Sequence, residues 1–181
     1  MTANREHIVT TVVAAAGGKL TSRIRLQKAV YLLDRLGLES GFDYEYYHYG
    51  PYSREVENAA QDAEVSGLLK ETTERRKSDG APYSVFEATA PINEEALGKL
   101  QVEKVRELMK SFAAANVTVL ELAATVDWLV HFEKRKDWEI ELRRRKGVKA
   151  SPERLERATR LLNDLGLGPV AQQAQLSQPF P

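Results

Sequence analysis

The 181-residue sequence predicts a mainly α-helical fold, with a winged-helix-like N-terminal half carrying a β-hairpin and a helical C-terminal half. Three observations carry that expectation. Apolar residues recur at helical spacing in successive segments that end at glycines. Two runs of strand character, Leu68–Thr73 and Tyr83–Thr89, flank a polar loop, Glu74–Pro82, that contains Ser-Asp-Gly. The resulting order of helix, helix, helix, hairpin is that of a winged helix, an analogy at the level of fold alone.

Residues 5–16 predict the first helix: Ile8, Val12, Val13 and Ala16 fall at helical spacing, and Gly17-Gly18 ends it. Thr21 or Ser22 caps a second helix over 22–36, with an apolar stripe of Leu26, Val30, Leu33 and Leu36 and a stop at Gly37. On its other side Arg25, Lys28 and Arg35 point one way. Phe42–Tyr49 alternates in part and is rich in aromatic residues, which predicts a short strand. Gly50-Pro51 breaks the backbone, and Ser53 or Arg54 opens a third helix running from Tyr52 to Ser66. Val56, Ala59, Ala60, Ala63 and Val65 are its inward residues, and Gly67 stops it.

Past the hairpin, Pro91-Ile92-Asn93 opens a fourth helix to Ala115, with Asn93 as cap and Leu97, Leu100, Val105, Leu108 and Phe112 buried. Asn116 or Thr118 restarts a helix through Phe132 that is apolar enough to require burial. Ser151-Pro152-Glu153 starts the last helix, serine as cap and proline in the first position, and Gly166 ends it. Residues 168–181, rich in glutamine and without charge, predict a disordered tail. The expectation is one domain over 1–167, its halves meeting at 90–91.

Composition excludes several chemistries. The chain has no cysteine, so thiol catalysis, disulfides and thiolate metal sites are out. Lysine plus arginine (26) equals aspartate plus glutamate (26), which gives no global attraction to nucleic acid or membrane. The balance is uneven along the chain: residues 134–160 carry eleven basic and five acidic side chains, a run read here as a solvated helix face. No signal peptide is apparent, and no apolar run reaches the roughly 20 residues that span a bilayer. A soluble cytoplasmic protein is expected.

The three histidines, His7, His48 and His131, lack the spacing of a metal site, although Asp127 and His131 can meet on one helix face. Ser53 has no nucleophile elbow around it and is explained by capping, and Gly17-Gly18-Lys19 is not a phosphate loop. No enzyme, metal or cofactor is expected. For nucleic acid, Arg75, Arg76 and Lys77 at the hairpin tip favour phosphates, whereas Glu55, Glu57, Asp62 and Glu64 on the third helix oppose them.

The densest feature is His48-Tyr49-Gly50-Pro51-Tyr52-Ser53-Arg54, some twenty residues after Arg23-Ile24-Arg25-Leu26-Gln27-Lys28. Tyrosine and arginine are enriched at protein interfaces, so Tyr44, Tyr46, Tyr47, Tyr49 and Tyr52 suit a partner surface or a core edge. The two clusters resemble the signature of the antitoxin SocA-like (Panacea domain) family, whose pattern is roughly R-x-x-LQK-x-x-YLL followed by Y-x-YGPYS. The match spans roughly residues 5–167. Glu121-Leu122-Ala123-Ala124-Thr125, Trp138 and Arg143–Gly147 are similar to the YwgA-like branch.

That resemblance implies a protein-binding antitoxin or protease adaptor that neutralises or presents a partner protein, a toxin or a protease system, within a toxin–antitoxin or phage-defence locus. The expected contact residues are Arg25, Lys28, Tyr31 and Arg35 on one helix, with Tyr47, His48, Tyr49, Tyr52, Ser53 and Arg54. The alternative is a winged-helix DNA-binding regulator using Arg75, Arg76 and Lys77. The apolar 117–132 helix leaves a homodimer open.

Overall fold

The computed structural model describes residues 4–169, so all but the first two residues of the predicted tail lie outside it. The chain divides into two units, one from residues up to Tyr47 plus Pro51–Val117, the other from His48–Gly50 plus the chain after Val117.

The first unit opens with α1 (Arg5–Ala15), β1 (Lys19–Thr21) and α2 (Arg23–Leu36). Val9, Val12 and Val13 are sealed in its core. Ser22 caps α2, its Oγ accepting from the Arg25 N–H at 3.3 Å, and Gly37 closes the helix in a left-handed conformation. The hairpin of β2 (Glu45–Tyr47) and β3 (Gly50–Tyr52) precedes α3 (Arg54–Val65), and β4 (Leu69–Arg75) and β5 (Pro82–Ala88) form the wing. Sheet order is β1-β5-β4, antiparallel throughout, with Leu20 opposite Phe86 and Leu69 opposite Ala88. Helices α1, α2 and α3 with this sheet give the expected winged-helix-like half.

Several expectations change in detail. The strand over Phe42–Tyr49 contracts to β2, and β3 takes up Gly50–Tyr52, so α3 begins at Arg54 rather than Tyr52. Val65 faces solvent at 89% exposure instead of the core, because the helix ends there. The long helix from Asn93 is broken into a 3-10 turn (Glu94–Ala96) and α4 (Val102–Ala114). Gly98 sets the break: it has φ +58°, and a side chain there would strike the Leu38 carbonyl. Asn93 still caps its short turn, Oδ1 accepting from Glu95 N–H at 3.1 Å.

In the second unit, α5 (Val117–Asp127) is buried along every residue from Val119 to Asp127 and continues into a π-helical turn, Trp128–Phe132. Then come α6 (Trp138–Lys146), whose bounds the charge run of residues 134–160 did not reveal, a 3-10 turn (Gly147–Lys149) and α7 (Pro152–Asp164). Ser151 Oγ caps α7 as expected, and Leu155, Ala158 and Leu162 form its inward stripe. No single helix among the described residues is long and apolar enough to cross a membrane.

Candidate partner-binding surface

The two clusters of the sequence meet, but chiefly as a fastening. Gln27 of α2 imitates a backbone: its Nε2 donates to the Ser53 carbonyl and its Oε1 accepts from the Ser53 N–H, both at 2.9 Å. One residue on, the Lys28 Nζ donates to the Pro51 carbonyl at 2.5 Å. Lys28 is 1% exposed, so its charge serves the Pro51 carbonyl inside the protein. Arg25 turns inward as well, its Nη1 donating to the Phe112 carbonyl at 2.7 Å and the Ala115 carbonyl at 2.5 Å. That places a cation on the orphan carbonyls at the end of α4.

The basic face expected from Arg25, Lys28 and Arg35 is therefore not a solvent face. Lys28 is buried, Arg25 and Arg35 are partly so, and Arg25 is committed to carbonyls. Tyr31 is also buried, packed edge-on against Tyr44 at 5.1 Å between ring centroids. The Tyr44 hydroxyl donates to Asp34 Oδ2 at 2.5 Å, and burial, then the Asp34 charge, raises its pKa. Ser53 is fully buried and does not cap α3 with its side chain, contrary to expectation, since its Oγ has no hydrogen-bond partner. Lys28, Tyr31 and Ser53 are thus buried rather than presented to solvent.

Other predicted contact residues face water. Tyr47 is 51% exposed, its ring tilted against Tyr52 at 5.5 Å. The Tyr52 hydroxyl donates to the Glu57 carboxylate, which pushes its pKa up to about 12. Arg54 is exposed at the first position of α3. At the tip of the hairpin His48 is exposed and Tyr49 is 47% exposed. The Lys149 Nζ sits 4.8 Å from the Tyr49 ring centroid, a cation–π contact within the second unit.

Beside that contact lies a charge cluster the sequence reading missed. Glu121 of α5 accepts from the Lys146 Nζ at 2.8 Å and from the Lys149 Nζ at 3.2 Å, with Glu121 and Lys146 both almost sealed from water. A signal was present: a carboxylate in the middle of a helix otherwise apolar on all sides must find a cation once buried. Thr125 of the same helix packs so close to Gly50 that a side chain on Gly50 would strike its Oγ1.

The wing residues Arg75, Arg76 and Lys77 are all exposed at the predicted tip. Arg75 Nη1 donates to the Gly80 carbonyl at 3.0 Å, and Arg76 pairs with Asp79 at 3.3 Å. On α3, Glu55 pairs with Arg5, Glu57 with Arg23, and Glu64 accepts from the Glu71 N–H, whereas Asp62 stays exposed. The His131 Nε2 lies 3.5 Å from Asp127 Oδ1, the helix-face contact expected from their spacing. Among the described residues no group of three or more histidine, aspartate and glutamate side chains is placed to hold a metal ion. No protein-family model and no curated protein matches this chain.

Proposed function

We propose that this chain is a non-enzymatic protein-binding module, antitoxin-like or protease-adaptor-like, that neutralises or presents a partner protein in the cytoplasm. The observation that carries the reading is the β2–β3 hairpin. It holds Tyr47 and Tyr49 half-exposed while Gln27 and Lys28 fasten its base from inside. Large aromatic rings held outward on a fixed backbone lose little entropy on binding, which favours an interface over a solvent-facing accident. Ser53, the serine nearest to His48 in sequence, is sealed from solvent and unsuited to attack a substrate.

The test is affinity capture from the native host, washed at low and then high salt, with wild type beside Tyr47→Ala and Tyr49→Ala. One stoichiometric protein that survives high salt, and whose affinity each substitution lowers by about 2 kcal/mol, is the expected result. Unchanged affinity in both folded variants overturns the surface. A second reading, a DNA-binding regulator, is favoured by the exposed Arg75, Arg76 and Lys77. It requires co-purifying nucleic acid that salt removes and that charge reversal at those three residues abolishes.

A further inference from the structure

We propose that the Phe132–Lys136 turn of the second unit is a docking surface for an acidic segment of a partner protein, with Phe132 as the apolar anchor. The inference rests on the protein-binding reading and adds to it a second surface and the chemistry that meets it. It starts from an imbalance. Residues 134–160 carry eleven basic and five acidic side chains, and every one of the five acidic groups is already engaged.

Asp137 holds Arg135 at 2.9 Å, Glu139 holds Arg143 at 2.8 Å, and Glu141 holds Arg144 and Arg145, both at 2.6 Å. Glu153 holds Arg157 and Glu156 holds Arg160, both at 2.8 Å. Glu121 takes Lys146 and Lys149. Among the described residues Lys134, Lys136 and Arg154 are left without a carboxylate, all three exposed. Two of them, Lys134 and Lys136, lie two and four residues after Phe132.

Phe132 is 52% exposed, yet its ring is fixed, stacked on Trp128 at 4.6 Å and 11° between planes. Trp128 is pinned in turn, its Nε1 donating to Glu133 at 3.1 Å, and Glu133 is gripped by two N–H groups of Arg145 at 2.8 Å each. A rigid aromatic ring beside uncompensated ammonium groups fits an apolar anchor ringed by carboxylates. A polyanion needs a longer track: proteins that hold nucleic acid neutralise about 6–10 phosphates, and every arginine of residues 134–160 except Arg154 is spent on local carboxylates. A two-fold contact of this turn with itself would set lysine against lysine.

The experiment selects short random peptides displayed on phage against the full chain. Enriched sequences are then titrated as labelled synthetic peptides, with tryptophan emission as a local reporter. Peptides with carboxylates flanking an aromatic or large aliphatic residue are expected. Phe132→Ala should weaken them by about thirtyfold, the loss typical of a hot-spot truncation. Lys134→Glu combined with Lys136→Glu should abolish binding, and a peptide whose carboxylates are replaced by lysines should restore it. Peptides without acidic character, no enrichment at all, or acidic peptides indifferent to these substitutions overturn the inference. Oligo-deoxythymidine binding that the same substitutions remove also overturns it, in favour of nucleic acid. If enriched peptides respond only to Tyr47→Ala or Tyr49→Ala, this surface falls while the proposed function stands. If acidic peptides bind here but host capture yields no partner, the hairpin reading falls alone.

Discussion

Glu121 and Lys146 are a carboxylate and an ammonium group nearly out of reach of water, 2.8 Å apart. Desolvation costs both ions several kcal/mol, which their attraction offsets only while both are present. Glu121→Gln is therefore expected to destabilise the protein by about 3–5 kcal/mol, because it strands the Lys146 charge. Glu121→Leu combined with Lys146→Met should recover most of that loss, and urea denaturation of the three variants checks both statements. Lys28→Met is a milder case. It leaves the Pro51 carbonyl without its donor and should cost about 1–3 kcal/mol, measured the same way. At this scale the sequence singled out Lys28, Tyr31 and Ser53 as contact residues, and the structure buries all three. Lys28 and Tyr31 stand in a dense motif, yet a helical spacing does not say which side of a helix another element covers. Lys28 proved to be covered.

The β2–β3 hairpin shows what an element adds to its residues. Gly50 has φ +90° and lies against Thr125, so it needs both a left-handed backbone and the absence of a side chain. Gly50→Ala should cost at least about 1–3 kcal/mol from backbone conformation alone, visible as a lower thermal midpoint. Turn chemistry made this position legible in sequence; the approach of Thr125, 75 positions later, was not. Two other elements were hidden for related reasons. The strand β1 has three residues with only Leu20 buried, too few for any period, and exists because β5 pairs with it. Helix α6 buries only Glu141, Leu142 and Lys146, so it has no apolar stripe to read. Its hold comes from ion pairs: Glu141 meets Arg144, then Arg145, which draw its carboxyl pKa down to about 2.

Across the whole molecule such carboxylates recur. Glu55, bonded to the Asp43 N–H and Arg5, is held below its usual range; so are Glu133 by Arg145 and Asp137 by Arg135. A carboxylate whose pKa is lower folded than unfolded adds stability at pH values above its unfolded pKa, near 4.5 for glutamate, and loses it as pH falls through the folded value. Stability should therefore fall between about pH 4.5 and 2, and Glu141→Gln should flatten that dependence, as urea midpoints across the window would report. The sequence by itself determined the helical class, the winged-helix order, most caps and the wing, since spacing, glycines and turn residues act locally. It also supplied the charge surplus of residues 134–160. Only the tertiary structure decided which charges were spent inside. Lys28 serves a carbonyl, Glu121 takes two lysines from 25 and 28 positions away, and Lys134 and Lys136 are left unpaired beside Phe132. Burial and ion pairing depend on which distant segments meet, and no local pattern records that.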